Sequence, residues 1–234
     1  MRCISIIKTS RIALKHCCGS CFEFGIKRKR EMIPLNPENQ RYIEIVVTGI
    51  LSLIIFHITK KTNIKLLVFV HSILSSISAV SVYFFNLKPH ISMMITIVYL
   101  PYHTYFIKEE TYSSHENWTT VAHHAFGFFF GATELVIKKN EMTYVAMQIN
   151  EFSTIFLTIY RWKTNTITGL IFALSFFWTR LYWDTIYVLS HYYLQSSLYI
   201  QIICIPFYAI QYYWVWTVIK NIIDAVKKPK AKKD

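Results

Sequence analysis

A helix needs about 20 consecutive apolar residues to cross the hydrocarbon core of a bilayer, and runs of that kind dominate this chain. They fall at about 43–59, 64–87, 91–107, 118–137, 142–160, 166–189 and 198–220. The breaks between them are short and polar: Lys60, Lys61 and Asn63, then Lys88-Pro89-His90, then Lys108 through Asn117, with Lys138-Lys139-Asn140, Lys163-Thr164-Asn165 and Gln195-Ser196-Ser197 marking the rest. The pattern predicts an all-α, polytopic membrane helical bundle of about seven transmembrane helices. Composition agrees, with 53% hydrophobic and only 16% charged residues, against roughly a quarter charged in a soluble domain. In a chain of 234 residues, seven such helices leave no room for a separate soluble catalytic domain.

Three segments follow. Residues 1–42 form a basic, Cys-containing arm, residues 43–220 the membrane domain, and residues 221–234 a basic tail. Pro34-Leu35-Asn36-Pro37 reads as an extended connector at the end of the arm. The arm lacks an apolar run followed by a cleavage site, so no removed signal peptide is expected. Its His16, Cys17, Cys18 and Cys21 are spaced too tightly for a tetrahedral zinc site. Palmitoylation or free thiols are the expected fates of these cysteines, and no metal is assigned.

The net charge of +12 is concentrated at the ends, with nine Lys and Arg in residues 1–42 and six in 220–234. On an apolar body this favours anionic lipid head groups over nucleic acid as the partner. Lys230 and Lys232 lie fifth and third from the end, like a dilysine endoplasmic-reticulum retrieval signal, so a cytosolic carboxyl terminus is expected. Asn117-Trp118-Thr119 matches a glycosylation sequon but abuts the membrane on what is then the cytosolic side.

Ionisable groups inside hydrocarbon cost a few kcal/mol each and normally face a cavity or one another, which makes them the functional candidates. His71, His103, His123, His124, Glu134, Glu151, Arg180 and Asp184 all fall within spans, with Arg161 near the end of the fifth. Neighbours on a helix point about 100° apart, so His123 and His124 border one pocket without both projecting into it. Gly127 and Gly131 share a strip with His124 and permit close approach of another helix. Arg180 and Asp184 are one helical turn apart and able to pair. His71, Ser75 and Ser78 form a polar strip.

A histidine in a dry cavity takes a proton from an amine or hydroxyl, or accepts an acyl group, a carboxylate such as Glu151 orients it, and Arg180 meets an anionic head group. His123, His124 and Glu151 are accordingly the candidate catalytic residues, and His71, His103, Arg161, Arg180, Asp184 and Ser153 the candidate lipid or head-group contacts. The histidine-box spacings of metal-dependent lipid oxygenases do not occur, nor does a Gly-rich phosphate loop. A seven-helix receptor fits the span count but not the motifs, since no Asp/Glu-Arg-Tyr or Asn-Pro-x-x-Tyr run is present.

The run Val121-Ala122-His123-His124-Ala125-Phe126-Gly127, then Asn150-Glu151-Phe152-Ser153-Thr154-Ile155-Phe156-Leu157, then Arg161-Trp162 and an aromatic span with Arg180, resembles the TLC domain over roughly residues 40–225. That domain is shared by ceramide synthases, translocating-chain-associating membrane proteins and TLC domain-containing lipid regulators. The resemblance implies six helices around a central lipid-accessible cavity, in the endoplasmic reticulum or a related endomembrane, and membrane lipids, a fatty-acyl or sphingoid lipid among them, as partners, with a homodimer a further expectation. For the ceramide synthase branch it implies N-acyl transfer from acyl-coenzyme A, used as co-substrate with no bound cofactor. Here Asn150-Glu151-Phe152-Ser153-Thr154 stands where that branch carries a His-Asp-x-x-Asp type run, and Tyr99-Leu100-Pro101-Tyr102-His103 lacks the acidic residue many relatives carry. Those departures move the expectation toward the regulators: a lipid-binding role in ceramide or phospholipid homeostasis. Acyl transfer and a non-enzymatic chaperone or receptor role stand as alternatives.

Overall fold

The computed structural model describes residues 36–107 and 114–227, and the segment 1–35 and the dilysine tail lie outside them. The described residues are all-helical, with no strand. Three helices are long and apolar enough to cross a membrane: Pro37–Thr62, Ile64–Phe85 and Leu198–Asp224, the last being the apolar part of a longer helix.

Each helix boundary has a local cause. Helix α1 (Pro37–Thr62) starts on Pro37, whose fixed φ suits the first helical position, and Asn36 caps it by accepting from Glu38 N at 3.1 Å. It therefore begins six residues before the apolar run itself. Asn63 ends α1 and at once caps α2 (Ile64–Phe85), its side chain accepting from Lys65 N at 2.7 Å. Asn86, in the left-handed region at φ 55°, closes α2, and Pro89 opens α3 (Pro89–Phe106). Helix α4 (Ser114–Ile137) is followed by Lys138, at φ 63°.

The fifth apolar run is broken. It forms α5 (Glu141–Gln148) and α6 (Glu151–Trp162), joined at Ile149-Asn150 by short-range bonds, Ile149 N to Ala146 O and Asn150 N to Met147 O. The sixth begins as α7 (Thr166–Phe177), capped by a reciprocal Asn165–Thr168 box. It continues through Trp178–Tyr193 as a π-helix, and α8 (Leu198–Lys227) follows.

Polar contacts show which helix ends lie together. At one end Arg41 of α1 bonds the Leu135 carbonyl at 3.2 Å, His90 Nδ1 at 3.1 Å and the Glu141 carboxylate, tying the start of α1 to the starts of α3 and α5 and the end of α4. Glu44 adds contacts to His90 at 2.9 Å and Lys88 at 2.6 Å. At the other end His57 meets Tyr102 at 3.3 Å, Lys60 lies over the Phe106 ring, and Phe69 packs on Trp162. Successive runs through α6 thus alternate in direction.

The interior is unusually polar for a helical core. Gln148 of α5 donates to Thr96 Oγ1 at 2.6 Å and to the Ser92 carbonyl at 3.0 Å, and its own carbonyl accepts from Ser92 Oγ at 2.9 Å. Ser75 meets Thr96 at 2.8 Å and Ser78 meets Ser92 at 2.9 Å. The predicted serine strip of α2 is therefore an interhelical seam, knitted to α3 and α5. Gly131 lets α3 and α5 close on α4, because a Cβ there would lie 2.7 Å from Ile97 and 2.8 Å from Tyr144.

Candidate functional site

Four imidazoles and a phenol form a continuous row of ring contacts through the bundle. His71 of α2 lies flat on Tyr99 of α3, with centroids 3.5 Å apart, and Tyr99 is stacked 5.0 Å from His103 one turn on. His103 is 5.0 Å from His124 of α4, and His124 is 5.9 Å from His123. His123 rests on Phe207 and Trp214 of α8 at 4.9 and 5.1 Å. All four histidines are buried. Spacing alone could not place His71 and His103 beside the pair, and three-dimensional packing does so through Tyr99.

The adjacent histidines border different spaces. His123 lines an inner chamber together with Glu151, Arg180, Asn150 and Gln148, while His124 lines a groove on the outer side of α3 and α4. The chamber measures about 40 Å³ and the groove about 400 Å³. A buried water needs about 10–15 Å³, so the chamber admits a few waters and no alkyl chain. The expected lipid-sized central cavity is thus replaced by a small chamber, mostly apolar in its walls but carrying several polar groups, because Phe126, Phe130, Tyr144, Met147 and Phe207 crowd the middle. The groove is apolar, walled by Tyr105, Phe128 and Phe129, and Leu100 separates it from the chamber by lining both. Pro101 faces the groove, where its missing N–H leaves the α3 ladder one bond short.

The break after Gln148 delivers Asn150 and Glu151 to the chamber. Glu151 Oε2 stands 4.0 Å from His71 Nδ1, too far for a hydrogen bond. Arg180 donates to the Gln211 side-chain carbonyl, and Gln211 Nε2 lies 3.4 Å from His123 Nδ1. Thr104 Oγ1 is 2.9 Å from His124 Nδ1 and donates to the Leu100 carbonyl at 2.7 Å.

The expected Arg180–Asp184 pair does not form. Both lie in the π-helix, whose backbone bonds run from i+5 back to i, as in Leu194 N to Leu189 O at 3.0 Å, and which still leaves residues four apart on nearly one face. Arg180 turns to Gln211, and Asp184 is buried with neither carboxylate oxygen hydrogen-bonded. Arg161 is not brought to the cluster, since it lies ten residues beyond Glu151 on α6, about 15 Å along the axis. Ser153 is buried, and its hydroxyl donates to the Asn150 carbonyl at 2.9 Å, a local bond at the start of α6. Glu134 has a structural explanation: its carboxylate accepts from Asn140 N at 2.7 Å and Asn140 Nδ2 at 3.2 Å, closing the α4–α5 turn.

Sequence reasoning missed Tyr99, Thr96, Thr104, Gln148, Asn150 and Gln211. The two glutamines carried a usable signal, because a buried amide in an apolar span is costly unless it is hydrogen-bonded. Together these features define a class: a protein whose described residues are all-helical, with three apolar, membrane-length helices and a row of histidines between a small chamber bearing polar groups and an apolar groove. The chain matches no protein-family model, no curated protein and no solved structure.

Proposed function

We propose that the chain is a multi-pass membrane protein of TLC type that holds a fatty-acyl lipid against its histidine pair and acts in membrane lipid homeostasis. In this reading the seven helical runs each cross the bilayer, with α5–α6 and α7 plus its π-helical extension as single crossings. The carboxyl terminus is cytosolic, in the endoplasmic reticulum or a related endomembrane. The observation that carries the reading is the groove beside His124. Its 400 Å³ falls within the range of small-molecule sites, its walls are apolar, and buried imidazoles stand behind it. An acyl tail lies in the groove and its polar end meets His124.

The test is lipid mass spectrometry on the protein purified from membranes, beside Ala125→Trp. Ala125 is an exposed groove residue, so the larger ring fills the groove without entering the core. The expected result is a co-purifying acyl lipid at near-stoichiometric yield, reduced at least tenfold in the variant. A wild-type protein free of acyl lipid, or equal yields from both proteins, refutes the reading. The paired imidazoles keep acyl transfer as a second reading. Labelled acyl-coenzyme A and a long-chain base should then give an amide that His123→Ala and His124→Ala abolish, and product formed equally without the histidines rejects it.

A further inference from the structure

The hydrogen bonds around the histidine pair determine where each ring carries its proton. Arg180 has only donors, so the Gln211 atom it meets is the carbonyl oxygen, and the amide nitrogen of Gln211 faces His123. That nitrogen also only donates. His123 Nδ1 must therefore be the bare, accepting nitrogen, and the ring proton sits on Nε2.

At His124 the logic runs the other way. Thr104 has one hydroxyl proton, and the Leu100 carbonyl, which can only accept, takes it at 2.7 Å. The Thr104 oxygen is left as the acceptor for His124 Nδ1 at 2.9 Å. His124 therefore carries its proton on Nδ1 and its lone pair on Nε2.

We propose that the paired histidines are locked in opposite tautomers, His124 as a base through Nε2 and His123 as a donor through Nε2–H, with Thr104 and Gln211 as the positioning residues that lock them. A pair of identical side chains is thereby made into one acceptor at the groove and one donor at the chamber. Gln211 is 1% exposed and the oxygen and nitrogen of its amide are committed to Arg180 and His123, so His123 cannot exchange tautomers without breaking a buried bond, and His124 cannot without breaking its bond to Thr104. The assignment rests on hydrogen bonding alone. Its consequence rests on the proposed lipid site: a lipid end bearing a hydroxyl or amine, whose proton His124 Nε2 accepts, suits the groove better than a fully substituted ester or quaternary ammonium.

The experiment is nitrogen NMR of the full chain, labelled with ¹⁵N-histidine, in lipid nanodiscs at alkaline pH where the rings are neutral. Protonated ring nitrogens resonate well upfield of bare ones, so the two tautomers are read directly. His123→Gln and His124→Gln assign the signals by loss. The expected wild-type result is Nε2–H at His123 and Nδ1–H at His124. Gln211→Leu should convert His123 to a mixture and leave His124 unchanged, and Thr104→Val should do the reverse, with Thr104→Ser restoring the wild-type pattern. The same tautomer at both rings in the wild-type protein overturns the proposal, whatever the variants do. Lipid retention is measured separately by mass spectrometry, so loss of the lipid reading leaves the tautomer result standing.

Discussion

Replacing Gly131 by alanine tests whether α3, α4 and α5 meet as closely as described. The new Cβ would fall 2.7 Å from Ile97 Cγ1 and 2.8 Å from both Tyr144 Cε2 and Cζ, against an ordinary contact of about 3.5–4.0 Å. Neither neighbour has room to yield. Ile97 and Tyr144 are 5% and 4% exposed, and Tyr144 is packed on Phe130 at 5.5 Å. Overpacking of a tight site costs about 1–3 kcal/mol, and the two-sided clash puts Gly131→Ala near the top of that range. Alanine returns about 1 kcal/mol of helix propensity, leaving a net loss of about 2 kcal/mol. At about 2–4 °C per kcal/mol for a chain of this size, the apparent Tm falls by about 4–8 °C. Thermal unfolding in one detergent, followed by intrinsic fluorescence, measures this. Gly169→Ala on α7 is the matched control: its Cβ meets only the far edge of the Tyr160 ring, at 3.3 Å, so the propensity gain wins and Tm rises by about 1–2 °C. If Gly131→Ala melts at or above the wild-type temperature, the helices are not packed as closely as argued.

Two further substitutions probe the polar contacts. Gln148→Leu removes the hub joining Thr96 and Ser92, leaves buried hydroxyls short of a partner, and should cost about 1–3 kcal/mol by the same melting assay; an unchanged Tm means the seam contributes nothing. Arg41→Met strands Glu141 and the Leu135 carbonyl and should cost about 3 kcal/mol, while Glu141→Gln, which keeps a hydrogen-bonding oxygen, should cost less than half of that; equal losses would show that geometry rather than charge is responsible.

The helix positions were legible because the apolar runs are long and their breaks carry physical punctuation: Asn63 caps one helix as it ends another, and Pro89 and Asn165 mark starts. The breaks inside runs were not. Ile149-Asn150 contains neither glycine nor proline, and its only signal is three polar residues among the four from Gln148 to Glu151 in an apolar setting. Likewise nothing in Trp178–Tyr193 announces a π-helix, and a four-residue spacing does not reveal that Arg180 bonds Gln211 of α8 instead of Asp184. Side-chain type identified the histidines as candidates, but their stacking depends on Tyr99, which looks like any aromatic residue in a span.

The broken fifth run also explains why the site has two unlike sides. An unbroken helix would carry Glu151 on past Gln148 at a fixed 100° per residue; instead the short-range bonds at Ile149 and Asn150 tighten the turn, and Asn150 and Glu151 both reach the chamber that Gln148 already lines. The polar groups of α5, α6 and the π-helix thereby converge on the His123 side, while on the His124 side Thr104 bonds the ring among mostly apolar groove walls. Leu100, packed against Gly127 where a Cβ would come within 3.0 Å, is the partition between them. Shortening it should widen the groove at this wall, so Leu100→Ala gives an acyl tail room beside Gly127 that the native side chain takes up. In the lipid assay that variant should retain longer or bulkier acyl species than the wild-type protein. An unchanged lipid profile would show that Leu100 does not limit what is bound.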